Sequence, residues 1–472
     1  MAARGATSAL VETPVVETVL AAALARGAEF AEVFAEDRRG TAATLDDGRV
    51  EELSSGRDRG AGIRVVVGET TGYAHTADLS EDGLLRAAEA ATAVARQGGG
   101  RTRVLSLDRQ SPPRPSSIEI PPEQVAKARK IELLERANDT ARSAGTAVTQ
   151  VSAQYADSRR RVVVANSDGV MVDDDQVRSR FSVSCVAVGD TGMQTGYDVQ
   201  GFTVGFEMFD LVDVDQVAAE AARRALGKLS ARPAPSGELA VVLKAGSGGV
   251  LFHEACGHGL EADHIVKDAS VYVGRVGAQV ASSLVTLVDD GTVSRQWGST
   301  AVDDEGRPTQ RNVLIQDGIL TDYMWDFLRA RKDGRTSSAN GRRQSYRDLP
   351  MVRMTNTFLL PGQEDPEEIV AQTAHGVYVA QLGGGQVNTT TGDFVFGTRE
   401  AYLIEGGRIT EPLRDANLIG NGPEILRRID AVANDFGMVP GSCGKDGQTV
   451  PVGCGQPTLR VSAITVGGTA GA

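Results

Sequence analysis

Three of the five histidines fall close together, at His253, His258 and His264. His253 and His258 bracket the string HEACGH, and Glu254 directly follows the first of them. Neutral imidazoles are zinc ligands, and a neighbouring carboxylate can serve as general base. The pattern therefore points to metal-assisted hydrolysis, with His253 and His258 holding the ion and Glu254 taking a proton from the attacking water. The spacing is one residue longer than HExxH. Histidines four apart on an α-helix lie about 40° from alignment, whereas five apart they lie about 140° off, pointing away from each other. Either a π-turn brings i and i+5 onto one face, or the helix ends at Gly257 and His258 reaches back from an irregular turn. Gly257 and Gly259 flank His258 and are the residues expected where backbone must leave ordinary α-space.

Two imidazoles leave a hydrolytic zinc site one protein ligand short. The remaining candidates are His264, His75, His375, a carboxylate or a thiolate, with Cys443 and Cys454 plausible in their Gly-rich surroundings; the residue pattern alone does not choose. Cys256 has no Lys or Arg close in sequence to activate it, and His253 is committed elsewhere, so Cys256 reads as a small buried filler. Gly383, Gly384 and Gly385 lack the Lys-Ser/Thr of a P-loop but could lie beside an extended peptide and offer backbone hydrogen bonds. Arg342, Arg343 and Arg347 could bind a substrate carboxylate, although exposed arginines usually do nothing so specific.

The elements that must position these residues follow from pattern. Residues 11–26 carry apolar side chains at helical spacing, and 84–96 is Ala-rich without Gly or Pro. Between them 30–36, 41–45, 49–53 and 60–67 read as short strands separated in part by Asp-Asp-Gly and Ser-Ser-Gly turns. A Pro-rich connector at 103–122 leads to a helix at 123–144, strands through 148–208 and a helix at 213–226, so strands followed by helices occur twice. The Pro-containing segment 231–237 reads as a boundary. The expectation is an α+β protein: an N-terminal domain, 1–232, of mixed helices and antiparallel strands, and a β-rich C-terminal domain, 238–472, whose few helices (249–262, 326–331, 422–434) include the motif helix.

The chain has 472 residues and a formal charge of 49 − 62 = −13, with 41% hydrophobic and 24% charged residues, the balance of an ordinary globular protein. Acidic charge and few aromatics mean that nucleic-acid or membrane-surface binding would need a local basic patch, and none is expected from the sequence. The start, 1–16, lacks the features of a secretory signal, no apolar run approaches bilayer length, and four cysteines in a chain this long suit a reducing cytoplasm.

Several stretches together resemble the TldD/PmbA family, also called the modulator-of-gyrase family, on its metal-bearing TldD side. They are DRGAGIRVVVGETTGYA at 58–74, HEACGHGLEAD at 253–263, DDEG at 303–306, NGRRQSYRDLPMVRMTNTF at 340–358, GDFVFGTREAYLIE at 392–405 and CGKDGQTVPVGCGQPTLRVSAITVGGT at 443–469. The resemblance covers essentially the whole length. It implies a cytoplasmic metallopeptidase with one zinc ion per chain, acting on unfolded peptides or leader peptides that bind as an extended strand. It also implies a heterodimer with a paralogous TldE or PmbA subunit lacking the metal motif, homodimerisation being the other possibility. By the same resemblance the third ligand is the Cys preceding Gly-Lys, which is Cys443; Cys454 and His264 stand where no family ligand is expected. The rival reading is a non-catalytic regulator or adaptor of another protein, with a structural metal site.

Overall fold

The computed structural model describes residues 9–25, 27–95, 106–247 and 249–468. Arg26, Arg96 and 103–105, which pattern assigned to helix ends and to the connector, lie outside them. The N-terminal half is built on one seven-stranded sheet, in the order Thr70–Thr76, Arg49–Val67, Phe30–Asp46, Val148–Asn166, Val170–Gly189. The short Asp108–Gln110 and the longer Gly192–Phe202 strands pair with different stretches of the last of these. Side chains alternate faces along a strand. Ala31, Val33 and Ala35, with Ile63 and Val65, pack under helices Thr13–Leu24 and Glu81–Val94. Further along, Ala43 and Leu45, with Val151, Ala153 and Tyr155, pack under helices Lys127–Ser143 and Val214–Lys228. The order helix, three strands, helix thus occurs twice.

Alternate residues Glu32, Phe34 and Glu36 face the C-terminal half: Glu32 pairs with Arg343, and Glu36 accepts from the Tyr346 amide at 2.9 Å. Ser54, Ser55 and Gly56 do not form the expected turn. They continue the Arg49–Val67 strand opposite Ala42, Thr41 and Gly40. This part of the hairpin is exposed and its cross-strand partners are small, so no apolar pattern marks it.

Among the described residues the C-terminal half holds two large sheets and a two-stranded one, Gly341–Arg342 with Met351–Val352. Six strands run Ile319–Leu320, Arg311–Gln316, Leu287–Asp290, Asn356–Leu359, Gln448–Gln456 and Gly437–Lys445. In the eight-stranded sheet, His375–Val387, Gly237–Leu243, Leu459–Gly467, Asn417–Asn421 and Asp393–Glu405 follow in order, and the first pairs with the last, closing a ring. Arg232–Pro233, in the segment read as a boundary, already pairs with Leu413 and Arg414 of this sheet. The expected helix at 422–434 ends at Arg427, and Ile429–Val432 is a strand paired to Leu459–Gly467. One apolar core lies between the two sheets, and the motif segment is embedded in it.

Candidate metal centre

The motif segment opens as one α-helical turn, Gly249–Phe252, widens into a π-turn at His253–Gly257, and closes with a 3₁₀ turn at His258–Leu260. The amide of His258 donates to the His253 carbonyl, the i→i+5 bond of a π-turn. That single wide turn answers the spacing problem: the two rings come together with centroids 4.9 Å apart, near perpendicular at 81°.

The flanking glycines serve a purpose other than the expected one. Gly257 sits at φ −54°, ψ −55°, ordinary right-handed helix. Its hydrogen is required by packing, because a Cβ there would lie 2.3 Å from Met354 Sδ; at Gly259 a Cβ would lie 2.8 Å from the Tyr272 ring. At the start of the segment, a Cβ on Gly249 would stand 2.4 Å from the carbonyl carbon of Cys454, so the helix presses directly on the Gln448–Gln456 strand.

Cys443 arrives from the neighbouring edge strand, Gly437–Lys445. Its Sγ lies 3.3 Å from His258 Nε2, and donor atoms of His253, His258 and Cys443 all lie within 4.8 Å of one another, buried. Arg353, itself fully buried, donates to the Cys443 carbonyl and to Gln448 O at 3.3 Å, fixing the hairpin that carries the sulfur. His264 is instead 4.0 Å from Glu261, and His75, on the N-terminal sheet, faces Tyr346 of the C-terminal half. Cys454 is buried on the facing strand, outside the three-donor group but beside His253, whose imidazole it and Cys443 draw toward protonation against the effect of burial. The Cys256 thiol donates to Phe252 O at 3.1 Å, and burial pushes it up to about 12.

The electrostatics suit a cation at this point. Burial alone would raise the Cys443 thiol, but His253 and His258 outweigh it and hold it at about 4. Burial alone would lower His258, yet Glu261 and Cys443 bring it up to about 9. A thiolate facing two imidazoles drawn toward protonation is a pocket that stabilises positive charge among three zinc-type donors. His253 Nδ1 is buried without a hydrogen-bond partner among the described residues, so this ring is not held by the kind of bond that Glu261 gives His258. The donor set fits one zinc ion.

Pattern reading assigned no roles to Glu261 and Lys445. Glu261 accepts from His258 Nδ1 at 2.9 Å, fixing the tautomer that leaves Nε2 facing Cys443. Against the burial that raises it, His258 and Lys445 hold Glu261 at about 2. Lys445 Nζ reaches Glu261 at 2.8 Å and Asp263 at 2.7 Å, occupying the space between these carboxylates. The signal was present in the sequence as the E of GHGLEAD and the K of CGK; only the fold joins them.

Glu254 Oε2 is 3.9 Å from His258 Nε2. With His253 it lines a cleft of about 490 Å³ that also takes in Gly383, Gly384, Gly385 and, from the N-terminal sheet, Gln200. Residues 340–358 are largely scaffold: Asp289, for one, accepts from Asn340, Thr355 and Thr357 at 2.7–2.8 Å.

A π-turn carrying two histidines, a thiolate on a facing hairpin and a carboxylate in the adjoining cleft are features of a metallopeptidase, and comparison with known proteins agrees. Family models described as the first, central and C-terminal domains of PmbA/TldA metallopeptidases match residues 31–95, 120–229 and 236–468. The chain belongs to the TldD/PmbA family. It is 43% identical over 454 residues to the metalloprotease TldD homolog of Haemophilus influenzae, covering 94% of each chain. It is 28% identical over 445 residues to the zinc metalloprotease TldD homolog of Saccharolobus solfataricus, covering 94% of this chain and 97% of that one. The crystal structure of TldE from Thermococcus kodakarensis shares the fold with a TM-score of 0.77 at 20% identity, over 96% of this chain and 99% of that chain. Among the described residues, no helix is long and apolar enough to cross a membrane.

Proposed function

We propose that the chain is a zinc-dependent peptidase acting on unfolded peptides or leader peptides, with His253, His258 and Cys443 holding one zinc ion and Glu254 as general base. The observation that carries this reading is the convergence of the three donors within 4.8 Å beside a cleft that also contains Glu254. Zinc bound there would supply Lewis acidity, polarising a peptide carbonyl and making water a stronger acid. The rest is the work of the chain's own residues. Glu254 accepts a proton from the attacking water on a carboxylate oxygen and returns it to the leaving amine. Glu261 keeps the His258 ring in one orientation, and Lys445 keeps Glu261 ionised. Gly384, with nothing within 4 Å of where a Cβ would stand, leaves main chain open for an extended peptide to lie against.

In this reading residues 238–472 form the catalytic domain and 1–232 a domain that closes one wall of the cleft. The fold shared with TldE supports a paralogous subunit as heterodimer partner, a second copy being the other arrangement, and the free cysteines support a cytoplasmic setting. The test is E254Q: zinc content stays at one per chain while peptide cleavage falls by about 10²–10⁴-fold. Cleavage that survives the substitution contradicts Glu254 as base. Zinc binding with no cleavage by the wild type, alone or with a paralogue, favours an adaptor with a structural metal.

A further inference from the structure

Six arginines surround a second cavity of about 470 Å³: Arg38, Arg160, Arg178, Arg180, Arg342 and Arg343. They come from three strands of the N-terminal sheet and one short segment of the C-terminal half, and only the fold brings the short basic runs at 38–39, 159–161 and 342–343 together with Arg178 and Arg180. Two carboxylates also line the cavity. Asp157 is engaged by Lys130 at 2.6 Å, and Asp304 by Arg160 at 2.8 Å. Arg160 further pairs with Glu36, and Arg343 with Glu32. Among the described residues Arg38, Arg178, Arg180 and Arg342 take part in no ion pair.

Arg178 and Arg342 are 6% and 5% exposed. Arg178 donates to the carbonyls of Trp297 and Ser299 at 3.0 and 3.2 Å and to Gln176 Oε1 at 3.0 Å. Arg342 donates to Met354 O and, at 2.8 Å, to Pro451 O. Neutral oxygens orient a guanidinium without cancelling its charge, and a buried cation is costly unless an anion faces it. Burial, the largest cause, pushes Arg178 down to about 9 and Arg342 to about 10; neighbouring guanidinium groups add to it, and the carboxylates of Asp304, Asp174 and Asp289 offset it only in part. In a chain of net charge −13 this excess is local and built. Ser442, which precedes Cys443, lines both this cavity and the cleft containing His253 and Glu254. The two spaces therefore border the same point of the Gly437–Lys445 strand.

We propose that the arginine-lined cavity is a carboxylate subsite of the peptide cleft, receiving an acidic side chain or the free C-terminal carboxylate of a peptide whose backbone runs past Ser442 toward Glu254. The choice of ligand rests on the peptidase reading. The planar guanidinium fork matches a carboxylate in two parallel hydrogen bonds, and the pocket selects acidic peptides.

The experiment measures binding of fluorescent short peptides to full-length, zinc-loaded E254Q. Four forms of one sequence are compared: Glu-containing with free C-terminus, Glu replaced by Gln, C-terminally amidated, and both changes together. The doubly neutral form is expected to bind about tenfold weaker or worse, with the gap narrowing as salt rises. Whichever single change reproduces the loss identifies the side chain or the chain terminus as the source. R178Q removes most of the preference. Because that substitution touches buried carbonyls, R180Q and R38Q are measured beside it; Arg180 is half-buried and donates to the Tyr197 hydroxyl at 2.6 Å, and Arg38 lies exposed at the rim. R86Q, on a distant exposed helix paired to Asp78, leaves the preference intact. Equal binding of the four peptides, or a preference unchanged in all three cavity variants, overturns the proposal. Wild-type cleavage without acidic preference sinks the subsite and spares the peptidase reading; acidic preference in binding without cleavage of any peptide does the reverse.

Discussion

Replacing Gly257 by alanine isolates how the π-turn is held. The backbone there is ordinary right-handed helix, so on conformational grounds alanine should stabilise the chain by about 0.4–1 kcal/mol through the unfolded state. Packing opposes this. The new methyl would stand 2.3 Å from Met354 Sδ and 3.1 Å from its Cε, against an optimal carbon contact of about 3.5–4.0 Å. Met354 is fully buried, so its thioether must shift by more than about 1 Å within a filled core, and such overpacking costs about 1–3 kcal/mol. The net expectation is a destabilisation of about 1–2 kcal/mol. Because Gly257 precedes His258, the displacement reaches the imidazole, and zinc affinity should fall as well. The assay is a double-mutant cycle with M354A, read by thermal unfolding and by zinc competition against a chromophoric chelator. M354A alone opens a cavity; in G257A/M354A the added methyl enters that space, so the double variant should be better than the sum of the singles by at least about 1 kcal/mol. A G257A protein as stable as wild type and with unchanged zinc affinity, or strict additivity in the cycle, refutes the packing explanation.

Removal of zinc should expose one thiolate. With the Cys443 thiol held at about 4, alkylation of that residue in the chelated protein should vary little between about pH 6 and pH 8, where an ordinary thiol gains about tenfold per pH unit. Cys256, pushed up to about 12, should stay unlabelled, and zinc should protect Cys443; mass spectrometry of labelled peptides reads all three. E261Q removes the carboxylate that orients His258 and should weaken zinc by about 10–100-fold in competition titrations; unaltered affinity would mean the bond is incidental. Acid unfolding tests Glu32, where burial, which alone would raise the carboxyl, is outweighed by Arg64 and Arg343, leaving it below its usual 4.5. Stability from a lowered carboxylate is present above that value and lost as pH falls through the folded one. The stability gap between wild type and E32Q should therefore close on acidification, and a gap that widens would reverse the assignment.

The local chemistry could be read from the chain, the long-range chemistry only in part. HEACGH names two ligands and a base by residue type, and its spacing demands either a π-turn or a broken helix; the fold chose the first. Cys443 was reached by resemblance, since pattern ranked it equally with Cys454, and what separates them is that only Cys443 extends its sulfur to the His258 ring. The purpose of Gly257 was misread because a glycine's neighbour across the core, Met354, lies far away in sequence. The hairpin through Ser54–Gly56 hid for the opposite reason: an exposed strand among small polar residues carries no period-two signal. The arginine cavity was legible only in part: Arg342 and Arg343 stood out as possible carboxylate binders, whereas Arg38, Arg160, Arg178 and Arg180 lie far apart in sequence and come together only through the pairing of Val148–Asn166 with Phe30–Asp46 and Val170–Gly189.

The most direct measurement is zinc-edge X-ray absorption of the purified full-length protein, beside C443S. The account predicts one zinc per chain with one sulfur scatterer at about 2.3 Å and nitrogen scatterers at about 2.0–2.1 Å, the sulfur shell vanishing in C443S. A shell of nitrogen and oxygen alone in the wild type, or a sulfur that persists in C443S, would contradict it.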